Sequence, residues 1–397
     1  MRVAGFLLLM LLSGAVYTFP SLTPAMAAEF GTSRTALQGA YSVWSLAVAA
    51  IGPLAGRLVD RQGFRRTLSI GIVTLVLMLV GVAVAQAPWQ VYAVLVLIGT
   101  PAYALLQVAT IVAATRTGAR RRGSALGVAG AGIGVGLTVI VPGAVWLSGA
   151  FGWRVALLAL AGLSAGIGFP SIFLVARGVV MPSAEHTSLS FRRLLGSYPF
   201  VLMFIGGVCI GLFDESLYQH LVPHLMALGF SAGAAGTVLG VTSLGYMIGQ
   251  VVGGSLSDRW GRWTIGLGAA LLSGIGLAIF SVAGLEMVVL LLTAFVAGLG
   301  VGATIAVRNA TLGDLFDGPS LGLVTGTYQW AYASGAAIMG WAGSYIYERL
   351  DSYGPVFLAS VAAAALWILC LRLALAAPNT TIWPASGWRA AGSGDDS

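Results

Sequence analysis

The chain has 397 residues, of which 58% are hydrophobic and 8% charged, against about 45–50% apolar and about 25% charged in a water-soluble domain. A soluble fold of this composition would lack a solvating surface, so lipid is the expected solvent. The formal charge of +7 does not point to nucleic acid, because all 20 basic residues are Arg and they sit in short connections between apolar runs, not along one exposed face.

A spanning helix needs about 20 mainly apolar residues. Runs of this kind between Arg, Pro and Gly-rich breaks predict spans at 3–27, 35–56, 67–86, 89–114, 123–148 and 153–176, then at 198–225, 232–256, 263–284, 287–311, 320–346 and 354–376. The fold class is therefore an all-α membrane protein with twelve transmembrane helices. An N-terminal six-helix half, 1–176, is joined by a polar linker, 177–197, to a C-terminal six-helix half, 198–376. The tail, 377–397, is rich in Gly, Ser and Ala and reads as disordered and cytoplasmic. At the N-terminus, Arg2, the apolar stretch from Val3 to Leu12 and Ala25-Met26-Ala27 also resemble a secretory signal with its cleavage site. Cleavage there would remove a helix that the repeat described below requires.

The 56 glycines suit close helix contact in lipid. Cys209 and Cys370 each lie inside an apolar run, with no spacing that marks a metal site or a disulfide. They read as packing residues, and no cofactor is expected.

An even number of spans puts both termini on one side. With the N-terminus inside, only Arg34, Arg154 and Arg349 fall outside, leaving seventeen of the 20 Arg on the inner face. That asymmetry follows the positive-inside rule. Both ends are accordingly expected to be cytoplasmic, in a cytoplasmic (inner) membrane.

The sequence repeats itself. Gly56-Arg57-Leu58-Val59-Asp60-Arg61-Gln62-Gly63 follows the second predicted span, and Gly254-Ser255-Leu256-Ser257-Asp258-Arg259-Trp260-Gly261 follows the eighth. The shared frame is G-x-L-x-D-R-x-G, and Asp60 and Asp258 are separated by half the chain. At the same offset Gly31 matches Gly229 and Ser33 matches Ser231; Gly123 and Gly127 match Gly322 and Gly326 at one residue more.

This frame, present twice at half-chain spacing, resembles the loop 2–3 signature of the major facilitator superfamily over residues 1–376. The resemblance implies two pseudo-symmetric six-helix halves and a substrate site between them near the midplane, worked by alternating access. Three stretches are similar to the bacterial branch related to monocarboxylate and oxalate/formate transporters: 52–61, 121–127 (Arg121-Arg122-Gly123-Ser124-Ala125-Leu126-Gly127) and 220–225 (His220-Leu221-Val222-Pro223-His224-Leu225). The chain lacks the fourth-span Arg of many proton-coupled relatives, the fifth-span Gly-Pro pair of drug antiporters and the eighth-span Asp/Arg pair of monocarboxylate transporters.

The frame sits where a helix meets the cytoplasm. Asp60 and Asp258 can therefore accept from backbone N–H groups at a neighbouring helix start or pair with nearby Arg, latching the cytoplasmic ends together. The gating set is Gly56, Asp60, Arg61, Gly63, Gly254, Asp258, Arg259 and Gly261, with glycine permitting tight turns and close approach. Arg65, Arg66, Arg120, Arg121 and Arg122 read as topology-setting charges.

Asp214 and Glu215 are the carboxylates placed well inside a predicted span, and ionisable groups at that depth are functional candidates. Low dielectric disfavours their charged form, so one of them could carry a proton. Helical spacing brings Asp214 near Tyr218 and Glu215 near Gln219, and Pro223 can bend the helix beyond them. His220 joins them as a proton-relay candidate; paired with His224 it has no third ligand to hold a metal. Further cavity candidates are Tyr17, Tyr41, Trp44, Tyr103, Gln107, Tyr246, Gln250, Tyr328, Gln329, Trp330 and Tyr332. Arg308 could hold an anionic solute, although its distance along the tenth span favours snorkelling to the inner surface.

The expected function is secondary active transport of a small organic solute, a carboxylate among the options, by a monomer with protons as a coupling ion. An efflux pump for amphiphilic or drug-like compounds is the alternative. No catalytic cluster marks an enzyme.

Overall fold

The computed structural model describes residues 2–116, 121–176, 190–282 and 286–377. The linker from 177 to 189, the tail beyond Ala377, Arg120, and the side chains of Arg2, Tyr17 and Arg34 lie outside that description. All described secondary structure is helical. Twelve helical runs cross the molecule. The first half contains α1 (residues 2–30), α2 (Arg34–Gln62), α3 (Phe64–Ala83), α4 (Pro88–Thr115), α5 (Arg122–Phe151) and α6 (Trp153–Ala176). The second contains α7 (Tyr198–Ala227), α8 (Ala232–Trp260), α9 (Arg262–Phe280), α10 (Met287–Leu315), α11 (Leu321–Leu350) and α12 (Gly354–Ala376). Ten of the runs are long and apolar enough to cross a membrane on those grounds alone. The other two are α1, broken at mid-length by a 3-10 turn over Gly14–Tyr17, and α11, richer in polar residues. A five-residue helix, Phe191–Leu195, stands just before α7.

Local chemistry explains the boundaries. Ser33 and Ser231, the serines matched by the repeat, cap α2 and α8 by accepting from the backbone N–H of Ala36 and Ala234 at 3.1 and 3.2 Å. Gly63 and Gly261 end the same helices at φ of +78° and +88°, a conformation that a side chain disfavours. The repeated frame is therefore not a loop. Its first seven residues form the last two turns of α2 and α8, and only its final glycine makes the connection. The predicted spans end at 56 and 256, where Asp and Arg break the apolar run, but the backbone stays helical to Gln62 and Trp260 while Arg61 and Arg259 extend to the exterior.

Three runs change pitch within their length. π turns occupy Leu95–Gly99 in α4, Gly136–Ile140 in α5 and Ser216–His220 in α7. Pro101, Pro142 and Pro223 follow closely. A proline cannot donate to the carbonyl four residues back and its ring clashes there. The helix answers by widening, and the amides of Thr100 and Val141 reach back five residues to Leu95 and Gly136.

Each half packs around its own apolar core, one running from Phe6 to Val175 and the other from Leu194 to Ala374. The first core also takes in Ala310 and Leu321 from the second half. Contact between halves concentrates where α2 crosses α11 and α5 crosses α8. Both crossings lie at one end of the bundle, the end carrying Asp60 and Asp258.

Candidate functional site

The two crossings are built alike. A Cβ on Gly56 would stand 2.0 Å from the carbonyl oxygen of Gly322, and one on Gly254 would stand 2.2 Å from that of Gly123. Backbone meets backbone at both points, which only glycine permits. Each contact delivers a carboxylate to the start of the opposing helix. Asp60 accepts from the amides of Gly322 and Leu323, both at 2.8 Å. Asp258 accepts from the amides of Gly123 and Ser124 at 2.8 and 2.7 Å, and from the Ser124 hydroxyl at 2.8 Å. Unsatisfied N–H groups and the positive end of a helix dipole favour a carboxylate in that position.

Beyond this symmetry the second crossing gains a charge network. Asp258 pairs with Arg262 at 2.8 Å, and Arg262 pairs in turn with Asp314 at 2.8 Å. Arg122, from the other half, reaches Asp314 at 2.9 Å and Asp317 at 2.6 Å and is itself buried. The assignment of Arg122 as a topology charge is corrected here, since it straps the two halves together. Asp314, Asp317 and Arg262 were missed from the sequence. The tenth span was ended at residue 311 whereas α10 runs to Leu315, so the acidic pair looked like loop. Arg61 and Arg259, placed in the gating set, are exposed and do not join the latch; Arg262 pairs with Asp258 in their stead.

Above the latch, at mid-depth between the halves, a cavity of about 90 Å³ is lined by residues of α1, α4, α5, α8, α10 and α11. Tyr103, Gln107, Tyr246, Gln250, Arg308, Gln329 and Tyr332 all face it. Asn309, Gly130 and Met10 join them and were not anticipated, and apolar side chains of α4, α5 and α10, among them Ile111, Ile133 and Ile305, make up the rest of the lining. Asn309 adjoins an Arg that sequence reasoning carried to the inner surface. Snorkelling is overturned: Arg308 is 4% exposed, its guanidinium lies 4.6 Å from the Tyr332 ring centroid and 5.2 Å from that of Tyr328, and its Nη2 makes a long contact of 3.4 Å with Gln329 Oε1. Its Nε and Nη1 have no hydrogen-bond partner. α10 runs on to Leu315, about one turn past the predicted end, so residue 308 lies further from the inner end of the helix than the predicted span implies.

Around the cavity an aromatic series of Phe19, Tyr41, Trp44 and Tyr103 runs through the first half with neighbouring centroids 5.0–6.3 Å apart. Trp44 is buried and Tyr41 half-buried. Tyr218 packs edge-on against Tyr246 at 6.0 Å. Trp330 is exposed and packs against Phe204. Tyr328 is fully buried behind Arg308, outside the cavity lining.

Asp214 stands one layer further back. It is 3% exposed, accepts from the Tyr332 hydroxyl through Oδ2 and leaves Oδ1 without a partner. Tyr332 therefore joins the Arg308 guanidinium on its face to the Asp214 carboxylate at its hydroxyl. Glu215 is only half-buried and accepts from Gln219 at 2.7 Å, the pairing expected from helical spacing. His220 is directed elsewhere. Its Nε2 meets the Met339 carbonyl at 3.0 Å and its ring stacks on Tyr353, so it packs within the second half and does not line the cavity. His224 meets the Phe280 carbonyl at 2.8 Å. Among the described residues no group of three His, Cys, Asp or Glu could hold a metal.

The family model described as Major Facilitator Superfamily matches residues 5–290 and 203–394. The chain belongs to that superfamily. That places it in a family of multi-pass membrane transporters, not in a family of enzymes. Among curated relatives it is 28% identical to rat monocarboxylate transporter 13 over 260 residues, 60% of this chain and 56% of that protein. It is 27% identical to the bovine protein of that name over 222 residues, 54% and 50% of the two chains. The match to human monocarboxylate transporter 11 is 28% over 383 residues, 84% of this chain and 79% of the relative. The chain thus spans about half the length of the two transporter 13 relatives, and the similarity agrees with the branch resemblance carried by its motifs. Among solved structures, the E. coli fucose:proton symporter superposes with a TM-score of 0.77 at 14% identity, covering 94% of this chain and 98% of that one. A bacterial homologue of the iron transporter ferroportin, in an outward-facing state, gives 0.74 at 16% identity over 95% and 100%. At these identities the likeness speaks for the fold alone.

Proposed function

We propose that this transporter moves a small organic anion, held by Arg308, across the cytoplasmic membrane by alternating access. Two guanidinium nitrogens without partners, on a side chain buried at a cavity between the halves, carry this reading. An Arg desolvated to that degree needs an anion, and a carboxylate matches its planar donors. The halves would be 1–176 and 198–376, both termini would be cytoplasmic as the Arg distribution favours, and a monomer would suffice. The latched end would then be the cytoplasmic end, and the cavity would load from the opposite face. Proton coupling would run through Asp214, which Tyr332 connects to the substrate-holding Arg, with Glu215 at the wetter edge of the same helix.

The test is solute-dependent thermal stabilisation of purified protein across short carboxylates, followed by uptake into proteoliposomes. Arg308→Gln should abolish both responses. Carboxylate-dependent stabilisation that survives in this variant would remove the anion reading. Asp214→Asn should eliminate uptake driven by an imposed pH gradient while retaining exchange of internal for external solute. Equal gradient-driven uptake in variant and wild type would remove Asp214 from coupling.

A further inference from the structure

The cavity that holds Arg308 is lined by an unusual set of neutral polar groups. Gln107 on α4, Gln250 on α8, Asn309 on α10 and Gln329 on α11 bring four carboxamides from both halves to one space, together with the Tyr332 phenol. Each carboxamide offers donors and an acceptor. The protein satisfies them sparingly. Gln107 donates to Tyr103 at 3.2 Å, Gln329 makes only the long contact with Arg308, and Gln250 is 1% exposed with its Nε2 unpartnered. A buried N–H with nothing to donate to is costly unless something else occupies the space.

The repeat shows that the Gln250 side chain has no counterpart at the first crossing. At the first crossing the matching residue is Gly52, where a Cβ would stand 2.5 Å from the Gly326 carbonyl oxygen. At the second crossing the backbone of residue 250 makes the same approach, to Gly127. The carboxamide extends along α5 and is accommodated by Gly130, where a Cβ would lie 1.6 Å from Gln250 Oε1. The first crossing therefore closes with glycine on both sides, while the second admits a hydrogen-bonding side chain opposite a glycine of the facing helix.

We infer that the site takes a polyhydroxylated monoanion of the sugar-acid class, its carboxylate on Arg308 and its hydroxyls on the carboxamides, with Gln250 as a specificity-determining residue. This rests on the anion reading of Arg308 proposed above and narrows it. Among the described residues that line the cavity Arg308 is the one that is charged, which matches a single negative charge. A hydroxyl both donates and accepts, as a carboxamide does, so a polyol chain can satisfy all four groups at once. An unsubstituted alkanoate of the same length would expel their water and return nothing. Sites built to hydrogen-bond hydroxyls reject analogues lacking them far more strongly than apolar pockets reject a change in size.

The test uses full-length protein in detergent, titrated calorimetrically with sodium gluconate and with sodium hexanoate, which share six carbons and one charge. Gluconate should bind at least about tenfold more tightly than hexanoate. Gln250→Met, which keeps length and loses hydrogen bonding, should weaken gluconate about tenfold and leave hexanoate within about twofold. Retained hexanoate binding also reports that the variant is folded. Equal or tighter hexanoate binding in the wild type, or equal loss of both ligands in Gln250→Met, overturns the sugar-acid inference and leaves the anion site standing. Binding of neither ligand overturns the sugar-acid inference. Gluconate binding undiminished in Arg308→Gln overturns the anion reading beneath it.

Discussion

Substituting Gly56 by Ala strikes the latch at its tightest point. The added methyl would lie 2.0 Å from the Gly322 oxygen, 2.4 Å from its carbonyl carbon and 2.9 Å from the Leu323 Cα. All three are backbone atoms, so no rotamer relieves the clash. Restoring an ordinary separation of about 3.4 Å requires α2 and α11 to part by about 1.4 Å. Displaced by that amount along the same direction, the Asp60 contacts now at 2.8 Å open to about 4.2 Å, beyond hydrogen-bonding range. Two charge-assisted hydrogen bonds are lost, each worth about 1.5–3 kcal/mol. Water can replace part of this at a half-buried carboxylate, so we take about 3 kcal/mol as the net penalty on the latched state. That shifts its population against the unlatched state by roughly a hundredfold. Pulsed spin–spin distance measurement between labels at the exposed positions Gln62 and Trp260 reads this directly, and the native Cys209 and Cys370 are buried. The variant should show a new longer distance as its main component. A distribution unchanged from that of Gly56 protein would refute the view that close backbone approach holds the ends together.

The charge network and the far end of the bundle give two further expectations. Arg122→Gln removes both cross-half pairs, whose carboxylates are one-third to nearly one-half exposed. After allowing for that solvent screening, thermal melts in low-salt detergent should show a loss of about 1–2 kcal/mol; a melting temperature identical to wild type would sink the strap assignment. At the end of α1 beyond its apolar stretch, Glu29 accepts from Arg154 at 2.7 Å and from Trp153 at 2.6 Å, and these bonds hold its carboxyl below the usual range. A depressed folded-state value contributes stability above the unfolded carboxylate's titration, and that contribution is lost as pH falls through the folded value. The wild type should therefore lose more melting temperature than Glu29→Gln on acidification from pH 6 to about pH 3. Parallel curves for the two proteins would count against the brace.

The helical architecture was legible from the sequence because lipid enforces it. Apolar length and the position of Arg are direct readouts of span and break, and α12 was placed at 354–376 as observed. The repeat was equally plain, since Gly63, Gly261, Ser33 and Ser231 each meet a backbone requirement that few residues satisfy. What escaped was depth. Asp60, Asp258 and Asp314 are polar residues on helices that run on past the apolar stretch, and composition cannot tell a helical last turn from a loop. The same blindness misplaced Arg308, whose surroundings come from α11. His220 was grouped with Asp214 by proximity in sequence. The π turn between them rotates the chain relative to a regular helix, and the imidazole ends against Met339 and Tyr353. Asn309 gave no signal of its own.

The interruptions in α1, α4, α5 and α7 all fall on the side of the cavity away from Asp60 and Asp258. They leave short terminal pieces there: Thr18–Phe30, Pro88–Val94, Val141–Phe151 and Leu221–Ala227. A rigid rod can only swing as a whole, but a rod jointed at its middle can bend its tip while its base stays clamped. In the proposed transport cycle the mouth of the cavity would thus shut over a bound solute before the opposite seam parts, so that for an interval neither side of the bilayer would communicate with it.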